Sequence, residues 1–276
     1  MLKQRLITAV LLAAAFLLAL FGSDTTGFAL IIAAVVVLAA WEWADLAGFA
    51  GQPLRIAYAL TVGVCLAWAA DYIAFADQLI GNREAARDLL VGACGFWAVA
   101  LLWVQGYPSS AVLWGHRWLR ALMGLLVLVP TWLAVVLLRA EPEGEWLIIL
   151  VLLIVIAADV GAYFTGRAFG RRKLAVSVSP GKSWEGFWGG FAACLLLATL
   201  VGWWQNNLLL TLAIMAPASL ASVLGDLLES MVKRHRGIKD SSQLLPGHGG
   251  ILDRVDSLTA AAPVFALAIL ISDWHL

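Results

Sequence analysis

Charge is what this sequence has least of. Asp, Glu, Lys and Arg make up 13% of its 276 residues and hydrophobic residues 62%, whereas soluble domains run at about 25% and about 45–50%. No polar stretch is long enough to build a water-exposed domain, so a soluble module hung on an anchor is excluded. Cysteine is equally sparse. Cys65, Cys94 and Cys194 lie far apart in apolar runs, without the paired spacing of a metal or redox site, and read as small core residues. No repeat of fixed period and no low-complexity linker is present. The formal net charge is zero, which says nothing until the charges are placed, and no nucleic-acid partner is expected.

What is abundant is hydrocarbon in long runs. A bilayer core needs roughly 20 predominantly apolar residues per helix. Segments of about that length fall at 6–22, 27–47, 55–75, 88–104, 118–138, 146–165, 185–203, 207–227 and 257–274, the fourth being the weakest. The first follows Lys3 and Arg5 and imitates a signal peptide, but its many apolar successors favour a retained span. The expected fold is an all-α polytopic membrane protein of about nine helices in one continuous domain. Residues 1–140 supply about five spans and 141–276 about four, with polar loops at 166–184 and 228–256. Trp residues in "WEW", "WLRALMGLLVLVPTW" and "GWW" fall near span ends and read as interfacial anchors. Gly166/Gly170 and Gly186/Gly190 have the small-xxx-small spacing of packed helices.

Orientation follows from Lys and Arg in short loops. Of eighteen such residues, nine spans leave Arg83, Arg87 and Arg139 outside and the other fifteen inside. The N-terminus and both long polar loops are therefore expected in the cytosol, and a bacterial inner membrane is the expected location.

Carboxylates inside a membrane cost about 2.5–3.5 kcal/mol each on insertion scales and are functional candidates by default. Asp159 falls in the sixth span, Asp226 ends the eighth, and Asp253 and Asp256 open the ninth. The last two have i,i+3 spacing, which places them on one helix face about 5–6 Å apart at Cβ. A hard divalent ion such as Mg²⁺ suits such a pair; pairing of Asp253 and Asp226 with Arg254, Lys233 or Arg234 is the competing reading. The basic residues near 167–182 and 233–239 attract anionic headgroups. That does not explain "PGHGG" (246–250), whose glycines allow backbone N–H groups to approach a phosphate, unless it is a plain turn. "SPGKSWEG" (179–186) imitates a P-loop, but the position of the first glycine falls on Val176 and no strand is expected before it. Ser179, Lys182, Ser183 and Glu185 then stand at a helix start, which favours anions.

These motifs together resemble a known family. "SMVKRHRGIKDSSQLLPGHGGILDRVDS" (230–257) is similar to the signature of the CDP-diacylglycerol synthases, or phosphatidate cytidylyltransferases. Ser230, Lys233, Arg234, Lys239, Asp240, Pro246, His248, Gly249, Gly250, Asp253, Arg254 and Asp256 fall in register. "SPGKSWEG" resembles the family's second motif, with Ser183 in place of the commoner Thr, and the resemblance spans roughly 155–260. It implies transfer of CMP from CTP to phosphatidate in the cytosolic leaflet, giving CDP-diacylglycerol and pyrophosphate. It further implies a metal site of Asp226, Asp253 and Asp256 holding Mg²⁺, with a second cation left open. Lys233, Arg234 and Lys239, with Lys182 and Ser183, would meet substrate phosphates. Asp159, Glu185 and His248 stand in a second line, while Ser179, Gly249, Gly250, Arg254 and Asp240 complete the expected substrate contacts. Membrane lipids are the expected surroundings and a homodimer is left open. A CTP-dependent polyprenol kinase, an ion-coupled transporter and a noncatalytic lipid-binding factor are the competing functions.

Overall fold

A computed structural model describes residues 2–76, 79–272 and 274, with side chains from residue 6 onward; Lys3 and Arg5 carry no described side chain. The chain forms α1 (Leu2–Gly22), α2 (Thr25–Ala47), α3 (Gln52–Tyr72), α4 (Arg83–Gly106), a short α5 (Ala111–Trp114), α6 (Arg117–Ala140), α7 (Gly144–Phe169), α8 (Trp184–Trp204), α9 (Leu208–Arg236) and α10 (Leu252–Ser272). Helices are what an apolar chain must form in lipid, because each satisfies its own backbone polar groups. Among the described residues eight helices, α2 to α4 and α6 to α10, are long and apolar enough to cross a membrane. The expected first span is helical as well, but its apolar part, Leu6–Gly22, is shorter than those eight. It nonetheless runs along the bundle: Thr8 Oγ1 donates to Pro246 O near its start, and Phe21 meets Trp146 edge to face near its end.

The bundle is built around α6, the most buried of the long helices. α10 lies against α6 and α9, while α7 and α8 form the most extensive helix pair. There the small-xxx-small expectation is met. A Cβ on Gly186 would stand 2.9 Å from Ala162 O and 3.3 Å from Gly166 Cα, and one on Gly190 would run into Ala158 O. The two backbones are in contact because those positions carry no side chain.

Several expectations need correction. The helix of the expected eighth span, α9, does not stop at 227 but continues to Arg236, where Gly237 closes it in the left-handed conformation. Four basic residues in its last turn, Lys233, Arg234, His235 and Arg236, suit the negative end of the helix dipole and extend it past its apolar stretch. The tenth helix likewise starts earlier, so the second polar loop shrinks to 237–251. "SPGKS" is not preceded by bare loop: β3 (Lys173–Ala175) pairs antiparallel with β4 (Ser179–Ser183), and β4 runs straight into α8. A second small hairpin joins β1 (Phe75–Ala76) to β2 (Leu79–Ile80). Trp43 and Trp132 are buried, not interfacial, each donating its indole N–H inward, to Arg120 O and Ala29 O respectively. They lie on the faces of α2 and α6 that turn to neighbouring helices, so packing outweighs proximity to a span end. Trp203 and Trp204 are exposed, as anchors require. Of the cysteines only Cys194 is buried.

One end of the bundle gathers the starts of α1, α3, α6, α8 and α10 with the ends of α2, α4, α7 and α9. At the other end Arg83 pairs with Glu141 at 2.7 Å and Arg139 with Glu145 at 2.8 Å. The loops expected to carry most of the positive charge therefore share one face.

Candidate active site

Three polar groupings occupy that face. The first lies where α7, α8 and the β3–β4 hairpin meet. Gly166, Gly186 and Gly190, the residues that bring α7 and α8 together, also leave room for a cavity of about 380 Å³, into which Asp159, Arg167 and Lys182 project. Lys182 reaches from the end of β4 to Asp226 on α9, Nζ to Oδ2 2.6 Å, and Ser230 Oγ donates to the other oxygen of Asp226 at 3.1 Å. Asp256 of α10 stands beside Asp226, within range of direct charge interaction, and Asp159 feels both Lys182 and Asp226. The cause of this closeness is Gly225, whose missing side chain lets α9 rest directly on the backbone of α10 at Asp256 and Ser257. Asp159, Lys182, Asp226 and Asp256 thus form one cluster drawn from four elements.

The second grouping is buried behind the first. Lys233 places its ammonium between Glu229 Oε1 (3.1 Å) and Asp253 Oδ1 (2.7 Å), which leaves one of its three donors uncommitted. Asp253 Oδ2 accepts from Ser241 N, Ser241 Oγ and Gly250 N at 2.8–3.0 Å. Both oxygens of Asp253 are thereby used, as the pairing reading of the sequence allowed. Glu42 of α2 completes this network. Fully buried, it accepts from Ser242 Oγ (2.5 Å) and Ile251 N (3.0 Å) at Oε1 and from Leu252 N (2.8 Å) at Oε2, where it also shares the single hydroxyl proton of Ser241 (3.2 Å) with Asp253. A carboxylate from another helix therefore caps α10, and the positive end of that helix's dipole replaces a cationic partner. Gly250 is required here, since a Cβ would strike Ser241 Oγ and Glu42. Arg236 fastens the same corner by donating to Asp45 O at 3.0 Å.

The third grouping faces outward from the 237–251 loop. Lys239, Asp240, His248, Gly249 and Arg254 line a polar cavity of about 620 Å³, with Arg254 Nε donating to His248 O at 3.1 Å. His248 Nδ1 is buried with no hydrogen-bond partner among the described residues. Gly249 adopts φ +81° at this turn, a conformation that costs glycine little.

The remaining predicted residues serve the scaffold. Ser183 is buried and caps α8, its Oγ accepting from Gly186 N at 3.1 Å. Glu185 is half-buried and accepts from the backbone N–H groups of Arg171 and Arg172 at 3.0–3.3 Å, tying the loop before β3 to the start of α8. Arg234 Nε donates to Val178 O at 3.2 Å and so holds the hairpin turn. Ser179 begins β4. Ser183→Ala should therefore cost about 0.5–2 kcal/mol of stability through the lost cap, while Lys182→Ala removes the cation of the cluster. Thermal unfolding in detergent should respond to the first substitution and turnover to the second.

Sequence reading missed Glu42, Glu229 and Asp45. The available signal was the cost of acids inside apolar runs, which applies to "WEWAD" and "LLES" as it did to Asp226; flanking Trp drew "WEW" toward anchoring instead. Among the described residues no three His, Cys, Asp or Glu side chains are arranged to hold a metal ion. Asp226 and Asp256 lie close enough to interact through their charge, whereas both oxygens of Asp253 are engaged by Lys233, Ser241 and Gly250.

The cytidylyltransferase family matches this chain over residues 3–272. The chain is 50% identical over 278 residues to the phosphatidate cytidylyltransferase of Pseudomonas aeruginosa, with 99% of each chain covered. It is 44% identical to that of Haemophilus influenzae, over 96% of this chain and 98% of the relative. With the Brucella suis protein of the same name it shares 38% identity, covering 96% and 92%.

Proposed function

This chain belongs to the cytidylyltransferase family, and from that membership we propose that it is a phosphatidate cytidylyltransferase. It transfers CMP from CTP to phosphatidate, giving CDP-diacylglycerol and pyrophosphate for phospholipid synthesis. The observation that carries this reading is half-identity over essentially the whole length with a relative of that name, joined to a cluster of acids and a lysine at one end of a membrane bundle.

The attacking group is a phosphate oxyanion, so no strong base is needed; the barrier lies in bringing anions together and in the charge on departing pyrophosphate. Groups aimed at that charge are the main lever in such transfers. Lys182 and Arg167 are placed to receive the lipid phosphate. Lys239, Arg254 and the loop N–H groups around Gly249 would bind the nucleotide phosphates from the outward cavity, and His248 lies at its wall. Asp226 and Asp256 would hold Mg²⁺ at their oxygens, a site of two carboxylates that leaves other positions to water and substrate. When bound, the ion would neutralise phosphate charge and orient the two substrates. Asp159 lines the same cavity as Lys182, where its charge would help to orient the ammonium group. Asp253 positions Lys233 and the loop and is not assigned to the ion.

Facing the cytosol suits this end of the bundle, since CTP is water-soluble and fifteen of eighteen Lys and Arg belong to the loops and helix ends there. A bacterial inner membrane follows from the same reading. The test is product analysis with purified protein, CTP and phosphatidate across a titration of Mg²⁺. CDP-diacylglycerol and pyrophosphate in equal amounts are expected, with turnover rising with the ion. Release of CDP in place of pyrophosphate would make the protein a lipid kinase.

A further inference from the structure

A second cavity, of about 570 Å³, adjoins the one that holds Asp159 and Lys182. Its walls come from Val104 of α4 and Tyr107 just past its end, Val178 of the β3–β4 turn, the start of α8, and Leu220, Ala221 and Leu224 of α9. Most of its surface is hydrocarbon, with Gln105 and Ser177 among the polar exceptions. The two cavities share Leu174, Phe187 and Val223 as common wall, so charge lies on one side of three apolar side chains and an apolar trough on the other.

An apolar trough in a membrane protein would ordinarily be unremarked, since lipid fills it. Here its polar end is roofed by the hairpin, which Arg234 holds in place through Val178 O. A partner helix crossing the full bilayer would run into that roof, and the volume is small against a cylinder 10–12 Å wide. A nucleotide has no apolar part of this length. What fits both cavities at once is a molecule with a phosphate at one end and hydrocarbon at the other.

We propose that the groove seats one acyl chain of the phosphatidate whose phosphate lies at Lys182 and Arg167. The assignment rests on the function proposed above and adds to it a determinant of chain selection: Ala221 and Leu224 set the depth of the groove, and Phe187 the bend between headgroup and chain. Seating the chain fixes the lipid phosphate against rotation, so binding energy far from phosphorus orients the nucleophile.

The experiment is Ala221→Phe, assayed in mixed micelles with dioleoyl- and dihexanoyl-phosphatidate. A chain of six carbons is a third the length of one of eighteen, so the two lipids differ in how far along the groove they can reach. The variant should lower kcat/KM for the dioleoyl lipid at least tenfold and for the dihexanoyl lipid less than threefold, with KM for CTP unchanged. Equal losses on both lipids, or none on either, would overturn the proposal. Independently of turnover, parent protein photolabelled with a phosphatidate carrying a mid-chain diazirine should be modified within 220–227 or 101–107. Labelling confined to other helices would refute the groove even if Ala221→Phe failed to fold. A parent that labels at these positions but makes no CDP-diacylglycerol would sink the enzymatic reading and leave a lipid-binding groove; turnover with labelling elsewhere would do the reverse.

Discussion

Asp256→Asn is expected to reduce CTP-dependent formation of CDP-diacylglycerol at least a hundredfold while leaving the protein folded and membrane-inserted. The substitution keeps the shape of the side chain and the oxygen that accepts from Ser257 N at 2.7 Å, and removes one negative charge. The size of the effect depends on why two acids stand together. If Asp226 and Asp256 are only neighbours pressed together by the α9–α10 contact at Gly225, losing one charge relieves repulsion, and activity changes little. If they share a cation that orients substrate phosphates, the site loses half its anionic charge, and a hundredfold loss, about 2.7 kcal/mol at 1.36 kcal/mol per decade, is the modest end of expectation. Raising Mg²⁺ should restore part of the rate in the variant. Turnover within tenfold of the parent at all Mg²⁺ concentrations would remove Asp256 from the metal site.

Glu42 carries the second large effect, through a different physics. It touches no substrate; it holds the start of α10 and the Ser241–Ser242 segment in one arrangement. In Glu42→Ala the hydroxyls of Ser241 and Ser242 can turn elsewhere, but Ile251 N and Leu252 N cannot. At about 1–3 kcal/mol for each buried donor left unpaired, those two alone cost about 2–6 kcal/mol, a large share of a typical folding margin of about 5–15 kcal/mol. The variant should therefore unfold at markedly lower temperature in detergent and yield little monodisperse protein. Glu42→Gln is the more telling change. It retains volume and one acceptor oxygen but turns an NH₂ group toward a row of donors, so the protein should survive with the loop displaced and kcat lowered more than tenfold. A Glu42→Gln enzyme with parental kcat would reduce Glu42 to a packing residue.

Two kinds of acid look alike in this sequence and part ways in the fold. Asp226 and Asp253 both border apolar runs and both attracted a metal assignment, yet Asp226 meets Lys182 at the edge of a cavity and Asp253 is consumed by Lys233, Ser241 and Gly250. Spacing placed Asp253 and Asp256 on one helix face, and that is where they are. Spacing could not say which of the two would meet Lys233 and which Asp226 along α9, because the deciding contact, Gly225 on the backbone at Asp256, joins residues about thirty positions apart. Lys233 shows the same limit. A basic residue next to a polar loop reads as a phosphate clamp, and only the position of Glu229 one turn earlier, combined with Asp253 arriving from another helix, turns it into a buried ion pair.

Composition and apolar run length were sufficient for the membrane bundle, its helices and the segregation of positive charge to one face, because hydrocarbon solvates only segments that satisfy their own backbone and the cost of a misplaced charge is local. The motif around 230–257 was sufficient for the family. Which acids face one another, which lysine remains open to a ligand, and that a glutamate two hundred residues upstream caps the final helix were decided by tertiary structure alone. Those properties are distances between chain segments remote in sequence, set by where glycines let backbones touch, and no single segment contains them.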